Sequence, residues 1–213
     1  MEKIIRSVDC PVIMDEAYME FAVEEGKEEE VTTLDLVNQV DNLLVLRTFS
    51  KAYGLANLRI GYGIGSAPLM KILKKVLLPY TVNGVSILAA ELMYSKPEVL
   101  RQRVEAVVSG RRYLRDHLEA LGFRVLPSAT NFLLALPAGK ALERLAEKAG
   151  AGNLPSSEKA MAAGGYLFQE LLDRKILVRN YSRNPRLPGG LRITVGKAEE
   201  NPQIIGAIRD IIQ

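Results

Sequence analysis

Short apolar runs bounded by polar or glycine-containing segments open the chain. Three such runs, 11–14, 42–46 and 59–64, are predicted to be strands, the first two of them buried in a parallel sheet. Apolar residues at helical spacing then predict a helix over 68–78 and a second, buried one over 85–94. Strands that alternate with helices in this way indicate an α/β fold with a mostly parallel sheet.

The second half has a different pattern of predicted helices and strands. Pro97 begins a long amphipathic helix that is predicted to run to about Leu121, and Gly122 is its natural stop. Beyond it the chain alternates short strands with helices and ends in a helix from Asn201, which predicts an α+β segment. The predicted strands are 123–125, 131–136, 176–180 and 191–195, with helices over 141–149 and 166–174 and a mobile Gly/Ala/Ser-rich stretch over 150–165.

Composition narrows the class of protein. The chain has 213 residues, 48% of them hydrophobic and 25% charged, and a formal net charge of +3. Its acids and bases are interspersed, which gives no indication of nucleic acid or membrane binding. One cysteine, Cys10, allows no internal disulfide. No apolar stretch is long enough for a signal peptide or a membrane span, so the expected location is the cytoplasm.

Polar residues that could carry chemistry follow two neighbouring predicted strands. Asp15 ends the first strand, with Tyr18 three residues on, and Lys51 follows the second. Ligands of open parallel sheets bind beyond the carboxyl ends of the strands, so these side chains are expected to face one crevice. A lysine there suits Schiff-base formation and proton transfer, and a carboxylate suits a protonated pyridine nitrogen.

A phosphate could be held beside that lysine. Ser50 precedes Lys51, and Arg59, with its planar fork of donors, follows eight residues later. Taken singly, a Ser-Lys pair is usually a surface feature and an aspartate after a strand is usually a cap. The conjunction of all these residues at strand ends favours a cofactor site.

The segments 12–21, 47–56 and 58–62 resemble the aspartate, lysine and arginine segments of the fold-type-I aminotransferases that use pyridoxal 5'-phosphate. Within them the similarity is greatest to the histidinol-phosphate aminotransferase family. The resemblance implies that Lys51 holds the cofactor covalently, that Asp15 contacts the pyridine nitrogen and Tyr18 the ring oxygen, and that Ser50 and Arg59 bind the phosphate.

The resemblance continues through the second half, where 127–132, 177–180 and 191–196 are similar to late segments of the same family. It implies that Arg192 binds the substrate carboxylate, that Arg179 contacts the phosphate of histidinol phosphate, and that Asn131 belongs to the substrate site.

Two departures from the family accompany this match. The family has roughly 150 or more residues before the aspartate, so the chain is expected to be the C-terminal part of an aminotransferase. Residues 1–90 would then be part of the large cofactor-binding domain and 91–213 the small domain. The segment 139–165 is longer than expected and is predicted to be a surface insertion.

The implied activity is amino transfer between histidinol phosphate and 2-oxoglutarate, in histidine biosynthesis, by a homodimer. Another aminotransferase, a phosphothreonine decarboxylase or a non-catalytic remnant remain as alternatives. Gly61 and Gly63, with Ser66 at the third small position, superficially suit a dinucleotide loop, but no acidic residue follows at the required distance. No metal-ligand spacing is present, so no metal site is expected.

Overall fold

Residues 43–45 are the most deeply buried part of a three-stranded sheet, which has the strand order β1–β2–β3. The strands are β1 (Val12–Asp15), β2 (Leu43–Thr48) and β3 (Gly61–Gly65). β1 pairs with β2 in parallel and β3 pairs with β2 antiparallel. The three predicted strands are confirmed, and the sheet is mixed.

In the described residues of this computed structural model, 1–22 and 32–213, the chain divides into two units, Met1–Glu105 and Ala106–Gln213. Whether they correspond to the family's large and small domains stays a prediction. The acidic stretch 24–30, read from the sequence as a solvated loop, lies outside the described residues.

Among the described residues up to 120, the helices are α1 (Glu2–Arg6), α2 (Ala67–Lys74), α3 (Gly84–Tyr94) and α4 (Pro97–Ala120). Single 3-10 turns occur at Met19–Phe21, Leu34–Leu36 and Ala56–Leu58. Gly122 follows α4 with φ +90°, a conformation in which glycine is unstrained, so the predicted stop is confirmed.

Two predictions of burial in this half are wrong. β1 is covered on one face only, because Ile13 is 60% exposed. α3 buries just Ser86 and Ala90, four residues apart on one face, while the larger Val85 and Leu88 on its other faces are exposed. A helix that is apolar on most sides need not be covered on most sides.

The second unit contains an antiparallel sheet with the order β4–β5–β7–β6. Its core is made by leucine and isoleucine side chains that are at most 1% exposed, among them Leu133, Leu167, Ile193 and Ile208. The elements are β4 (Phe123–Val125), β5 (Phe132–Pro137), α5 (Gly139–Lys148), α6 (Ser156–Asp173), β6 (Arg179–Tyr181), β7 (Gly190–Thr194) and α7 (Glu200–Ile212).

The prediction of a mobile stretch over 150–165 is wrong from Ser156 onward, where α6 begins. Ala160, Ala163 and Gly164 are buried, and a side chain at Gly164 would come within 2.4 Å of the Gly189 carbonyl oxygen. The small residues therefore serve close helix packing. That 139–165 is an insertion relative to the family stays a prediction.

Candidate functional site

Lys51 and Tyr18 are brought together in the first unit. The loops that follow β1 and β2 leave the sheet at the same edge, and they place Lys51 Nζ 5.1 Å from the centroid of the Tyr18 ring. A cation at this distance is attracted by the negative face of the ring. Lys51 is half-buried and makes no hydrogen bond or ion pair with any described residue. Its amine is thus held in place without a charged partner.

Asp15 lies at the carboxyl end of β1, opposite Leu46 of β2. Its carboxylate accepts a 3.1 Å hydrogen bond from the backbone N–H of Ala17, a local turn, and its side chain is exposed. This contact fixes the direction of the carboxylate and leaves acceptor capacity on it for a further group. The expected placement of Asp15 beyond a strand end is observed.

Ser50 and Arg59 are joined through the base of one loop. The backbone N–H of Phe49 donates to the carbonyl of Ile60 at 3.1 Å. Ser50 follows Phe49 and Arg59 precedes Ile60, so this hydrogen bond keeps the two residues near each other. Arg59 is exposed, has the left-handed φ of +49° and donates from Nη1 to the Ala56 carbonyl at 2.8 Å.

The loop that carries Lys51 is fixed from outside by α3 and α4. The fully buried Ser86 Oγ donates to the Leu58 carbonyl at 2.7 Å, and Arg103 Nη1 donates to the Tyr53 carbonyl. The Phe49 and Tyr53 rings pack 4.6 Å apart, centre to centre, in a small buried cluster. These contacts come from residues that sequence reasoning did not single out. Ser86 and Arg103 donate to backbone carbonyls that are distant in the sequence. No local sequence pattern indicates such contacts.

A buried ion pair beside Asp15 was also missed. Glu16 is 7% exposed, and its carboxylate accepts from Arg47 Nη2 at 2.9 Å and from the Thr33 backbone N–H at 2.7 Å. The Thr33 and Thr32 hydroxyls donate to it as well. Burial acts to raise the pKa of Glu16, but these hydrogen bonds outweigh it and hold the pKa below the ordinary value of 4.5. The network ties the loop after β1 to strand β2 and to residues 32–33.

Glu20 has the opposite environment. Its Oε2 is buried without a hydrogen-bond partner among the described residues, and burial raises the pKa of this carboxyl. Burial likewise raises the pKa of Tyr53 to about 12 and raises that of Tyr62, so both phenols stay protonated at neutral pH. Tyr53 and Tyr62 belong to the apolar cluster that packs beneath the loop.

The three residues with an implied substrate role lie in the second unit. Arg179 of β6 and Arg192 of β7 are directly opposite each other in the strand register, and Arg179 is exposed. Asn131 precedes β5, and its carbonyl accepts from the Val195 N–H at 2.9 Å. The structure therefore pairs the two arginines and leaves the Asn131 amide without a hydrogen bond in the described residues.

The Arg192 guanidinium lies 4.8 Å from the centre of the Phe132 ring, and its Nε is buried with no hydrogen-bond partner in the part of the chain that the structure describes. A buried N–H of a cation that is left unpaired is costly, by roughly 1–3 kcal/mol or more. An anion in contact with the guanidinium would remove that cost.

Within residues 1–22 and 32–213, no three or more His, Cys, Asp or Glu side chains are grouped as a metal site would require. Nor does any helix of this described part combine the length and apolarity needed to cross a membrane.

Comparison with known structures gives the class of fold. A structure of histidinol-phosphate aminotransferase from Sinorhizobium meliloti, in complex with pyridoxal-5'-phosphate, matches 99% of this chain with a TM-score of 0.76 and 22% identity, over 52% of its own length. L-threonine-O-3-phosphate decarboxylase from Porphyromonas gingivalis matches 99% of this chain with a TM-score of 0.71 and 25% identity, over 59% of its length. The chain has the fold of this group of enzymes.

The sequence gives the family. The sequence pattern of aminotransferase class I and II matches residues 1–208, and the chain belongs to that family. A histidinol-phosphate aminotransferase from Thermoanaerobacter sp. (strain X514) is 35% identical over 211 residues, which are 99% of this chain and 51% of the relative. The chain therefore spans about half the length of the curated relatives it matches.

Proposed function

We propose that this chain is the lysine-bearing part of a pyridoxal-phosphate-dependent aminotransferase that exchanges an amino group between histidinol phosphate and 2-oxoglutarate. Pyridoxal phosphate is the cofactor that family membership indicates. The observation that carries the proposal is the unpaired amine of Lys51 beside the Tyr18 ring. The choice of substrate is supported by the names of the relatives at 35% identity.

The residues of the first unit fit this cofactor. Lys51 Nζ makes no ion pair with a carboxylate of the described residues, so the amine is available to a carbonyl of the cofactor. Asp15 has acceptor capacity for a pyridinium N–H, and Tyr18 carries a phenol for a ring oxygen. Ser50 and Arg59 would bind the phosphate group.

Each side chain then has one task. When bound, pyridoxal phosphate supplies an electron-accepting ring that stabilises negative charge at the α-carbon of an amino acid. Asp15 would keep the ring nitrogen protonated. Lys51 would hold the cofactor through Nζ and, once displaced by a substrate amine, would move the proton at the substrate's α-carbon.

The second unit would supply the substrate contacts. Arg192 would bind the α-carboxylate of the substrate in a bidentate manner, which satisfies its buried Nε. Arg179 would bind the phosphate of histidinol phosphate, and the Asn131 amide would donate to the substrate or cofactor. A phosphothreonine decarboxylase would also act on a phosphorylated amino acid, so these contacts would suit either enzyme.

Reductive labelling tests the role of Lys51. The chain is incubated with pyridoxal phosphate, reduced with borohydride and mapped by mass spectrometry. We expect the label on Lys51 and its loss in Lys51→Arg, with Lys71→Arg, an exposed lysine of α2, as the matched control. Label that is spread over surface lysines and unchanged in Lys51→Arg would contradict the assignment.

Substrate is tested in a chimera that joins this chain to the half of the Thermoanaerobacter relative that it does not match. We expect glutamate formation to depend on histidinol phosphate and 2-oxoglutarate. Release of carbon dioxide from O-phosphothreonine without amino transfer would favour the decarboxylase, for which the Porphyromonas gingivalis structure is the specific support. Neither activity, in a folded chimera that is labelled at Lys51, would favour the non-catalytic alternative.

We further propose that the protein is a cytoplasmic homodimer and that this chain by itself is a poor aminotransferase. Large apolar side chains of α3 and the segment before it are exposed, which supports association: Leu78 is 75% exposed, Tyr80 100%, Val85 70% and Leu88 67%. Sedimentation of the chain and of Leu88→Lys tests it. A monomer in both cases would contradict the dimer.

A further inference from the structure

A basic cavity of about 620 Å³ lies in the second unit, where the ends of α4 and α7 meet β4 and the start of α5. Four cationic residues from three different elements line it: Arg124, Lys140, Arg144 and Arg209. No acidic side chain of the described residues does so. The rest of the lining is apolar, with Leu121 and Ile212 among it, apart from Gln213.

None of the four cations makes an ion pair or a side-chain hydrogen bond within the described residues. Unpaired cations also occur singly elsewhere in this unit, as at the exposed Lys197, but here four of them line one pocket. Four unpaired cations around one concave surface repel each other. A solvated helix face, the simpler reading, would draw its charges from one element and would include acids.

The positions of two cations in α5 are unfavourable for the helix itself. Lys140 lies in the first turn, where the helix dipole already presents positive charge, and the preceding Ala138 gives no side-chain cap. Arg144 follows at i+4, a spacing at which like charges repel. Residues placed against local preference mark functional positions in folded proteins. The uncapped N–H groups of α5 add to the positive potential of the cavity.

The partial charges of the helix ends do not neutralise the four cations. The carboxyl ends of α4 and α7 at the cavity carry about half a negative charge each, and the amino end of α5 carries about half a positive charge. Against four full positive charges this leaves an excess of more than about three. Counting a full negative charge for a main-chain carboxyl at Gln213 still leaves more than about two.

We propose that this cavity binds a small molecule that carries two or more phosphate groups. Guanidinium groups match phosphate oxygens in bidentate geometry, and three of the four cations are arginines. A volume of about 620 Å³ suits a ligand of metabolite size. Four cations that come from three elements and line one pocket favour a compact ligand over a nucleic-acid strand. This site is independent of the proposed transaminase chemistry.

Calorimetric titration of the 213-residue chain with inorganic tripolyphosphate, at fixed ionic strength, tests the proposal. We expect saturable binding of one equivalent, weakened at least tenfold in the double variant Arg144→Gln/Arg209→Gln. Lys197→Gln removes an exposed, unpaired cation of the same unit that does not line the cavity, and should bind within twofold of the unchanged chain. Thermal melts without ligand check that each variant is folded.

No binding at millimolar tripolyphosphate, or equal weakening in the double variant and the control, would overturn the proposal. So would tight binding of single-stranded oligothymidine that is lost in the double variant while tripolyphosphate fails to compete. Loss of binding in the double variant alone, with competition by tripolyphosphate, would establish the cavity as the site.

Discussion

Arg179 and Arg192 lie directly opposite each other on the antiparallel strands β6 and β7. Residues opposite each other in such a ladder share one face of the sheet and approach to about 5 Å between Cβ atoms. Two arginines in this relationship repel, and the buried Nε of Arg192 has no partner to offset the charge. An anion that lies against both guanidinium groups would offset this repulsion, as the proposed substrate role requires.

Removing one charge of this pair should stabilise the chain when no anion is bound. For Arg179→Gln we expect a gain of about 0.2–1 kcal/mol in the free energy of unfolding, since like charges opposite each other cost about that much. Urea unfolding in a phosphate-free buffer measures it, with the exposed Arg183→Gln as control. A loss of stability in Arg179→Gln relative to the control would mean that the two arginines do not repel.

The close contact between α6 and the Gly189 backbone should reject any side chain. In Gly164→Ala the new Cβ would lie 2.4 Å from the Gly189 carbonyl oxygen, so either the helix or the loop must move. We expect a loss of about 3 kcal/mol. Gly206→Ala in α7 meets nothing within 4 Å and should instead gain about 0.5–1 kcal/mol, because alanine is the better helix residue. Changes of the same sign in the two variants would contradict the packing.

The hydrogen bond from Ser86 to the Leu58 carbonyl should stabilise the lysine loop. Ser86→Ala leaves a carbonyl without its donor, and we expect a loss of about 1–3 kcal/mol in urea unfolding. Ser95→Ala is the matched control, because that hydroxyl donates to Leu92 at the exposed end of the same helix. An equal effect of the two substitutions would show that the Ser86 bond contributes nothing specific.

Glu16 should give the chain a stability that depends on acidity. Its folded-state pKa lies below 4.5, so its contribution is complete above the unfolded-state value and is lost as pH falls through the folded one. Glu16→Gln should therefore cost about 2 kcal/mol at pH 7, from the lost charged hydrogen bonds. The difference from the unchanged chain should shrink steadily below about pH 4.5. A difference that is constant from pH 7 to pH 3 would show that the ionised carboxylate does not stabilise the fold.

Sequence patterns predicted the bounds of helices and strands better than the strand direction and the packing of these elements. β2 and α4 were predicted to within two residues, because each is a long apolar or amphipathic run with a clear stop such as Gly122. The antiparallel direction of β3 could not be predicted, since the alternation of glycines from 61 to 65 fits either direction. The start of α6 was read as a loop, because the need for Gly164 comes from Gly189, which is distant in the sequence.

For the candidate site as well, local sequence predicted some features and missed those that depend on tertiary contacts. The proximity of Lys51 and Tyr18 followed from strand order alone, because both residues lie just beyond neighbouring strand ends. The Glu16–Arg47 pair was missed although Glu16 follows Asp15 directly and Arg47 lies three residues before Ser50, since nothing in either local sequence shows that they are buried together. Local sequence indicates where a loop leaves the sheet, and tertiary contacts decide what holds it.

Arg59 also bears on how this protein would respond to laboratory evolution. Its left-handed backbone, with φ +49° and ψ +47°, costs a non-glycine residue roughly 1–2 kcal/mol that glycine would not incur. A selection for heat resistance alone would therefore favour Arg59→Gly and discard the guanidinium. Only a simultaneous selection for catalysis would retain the arginine, so its persistence in such a screen would report directly on function.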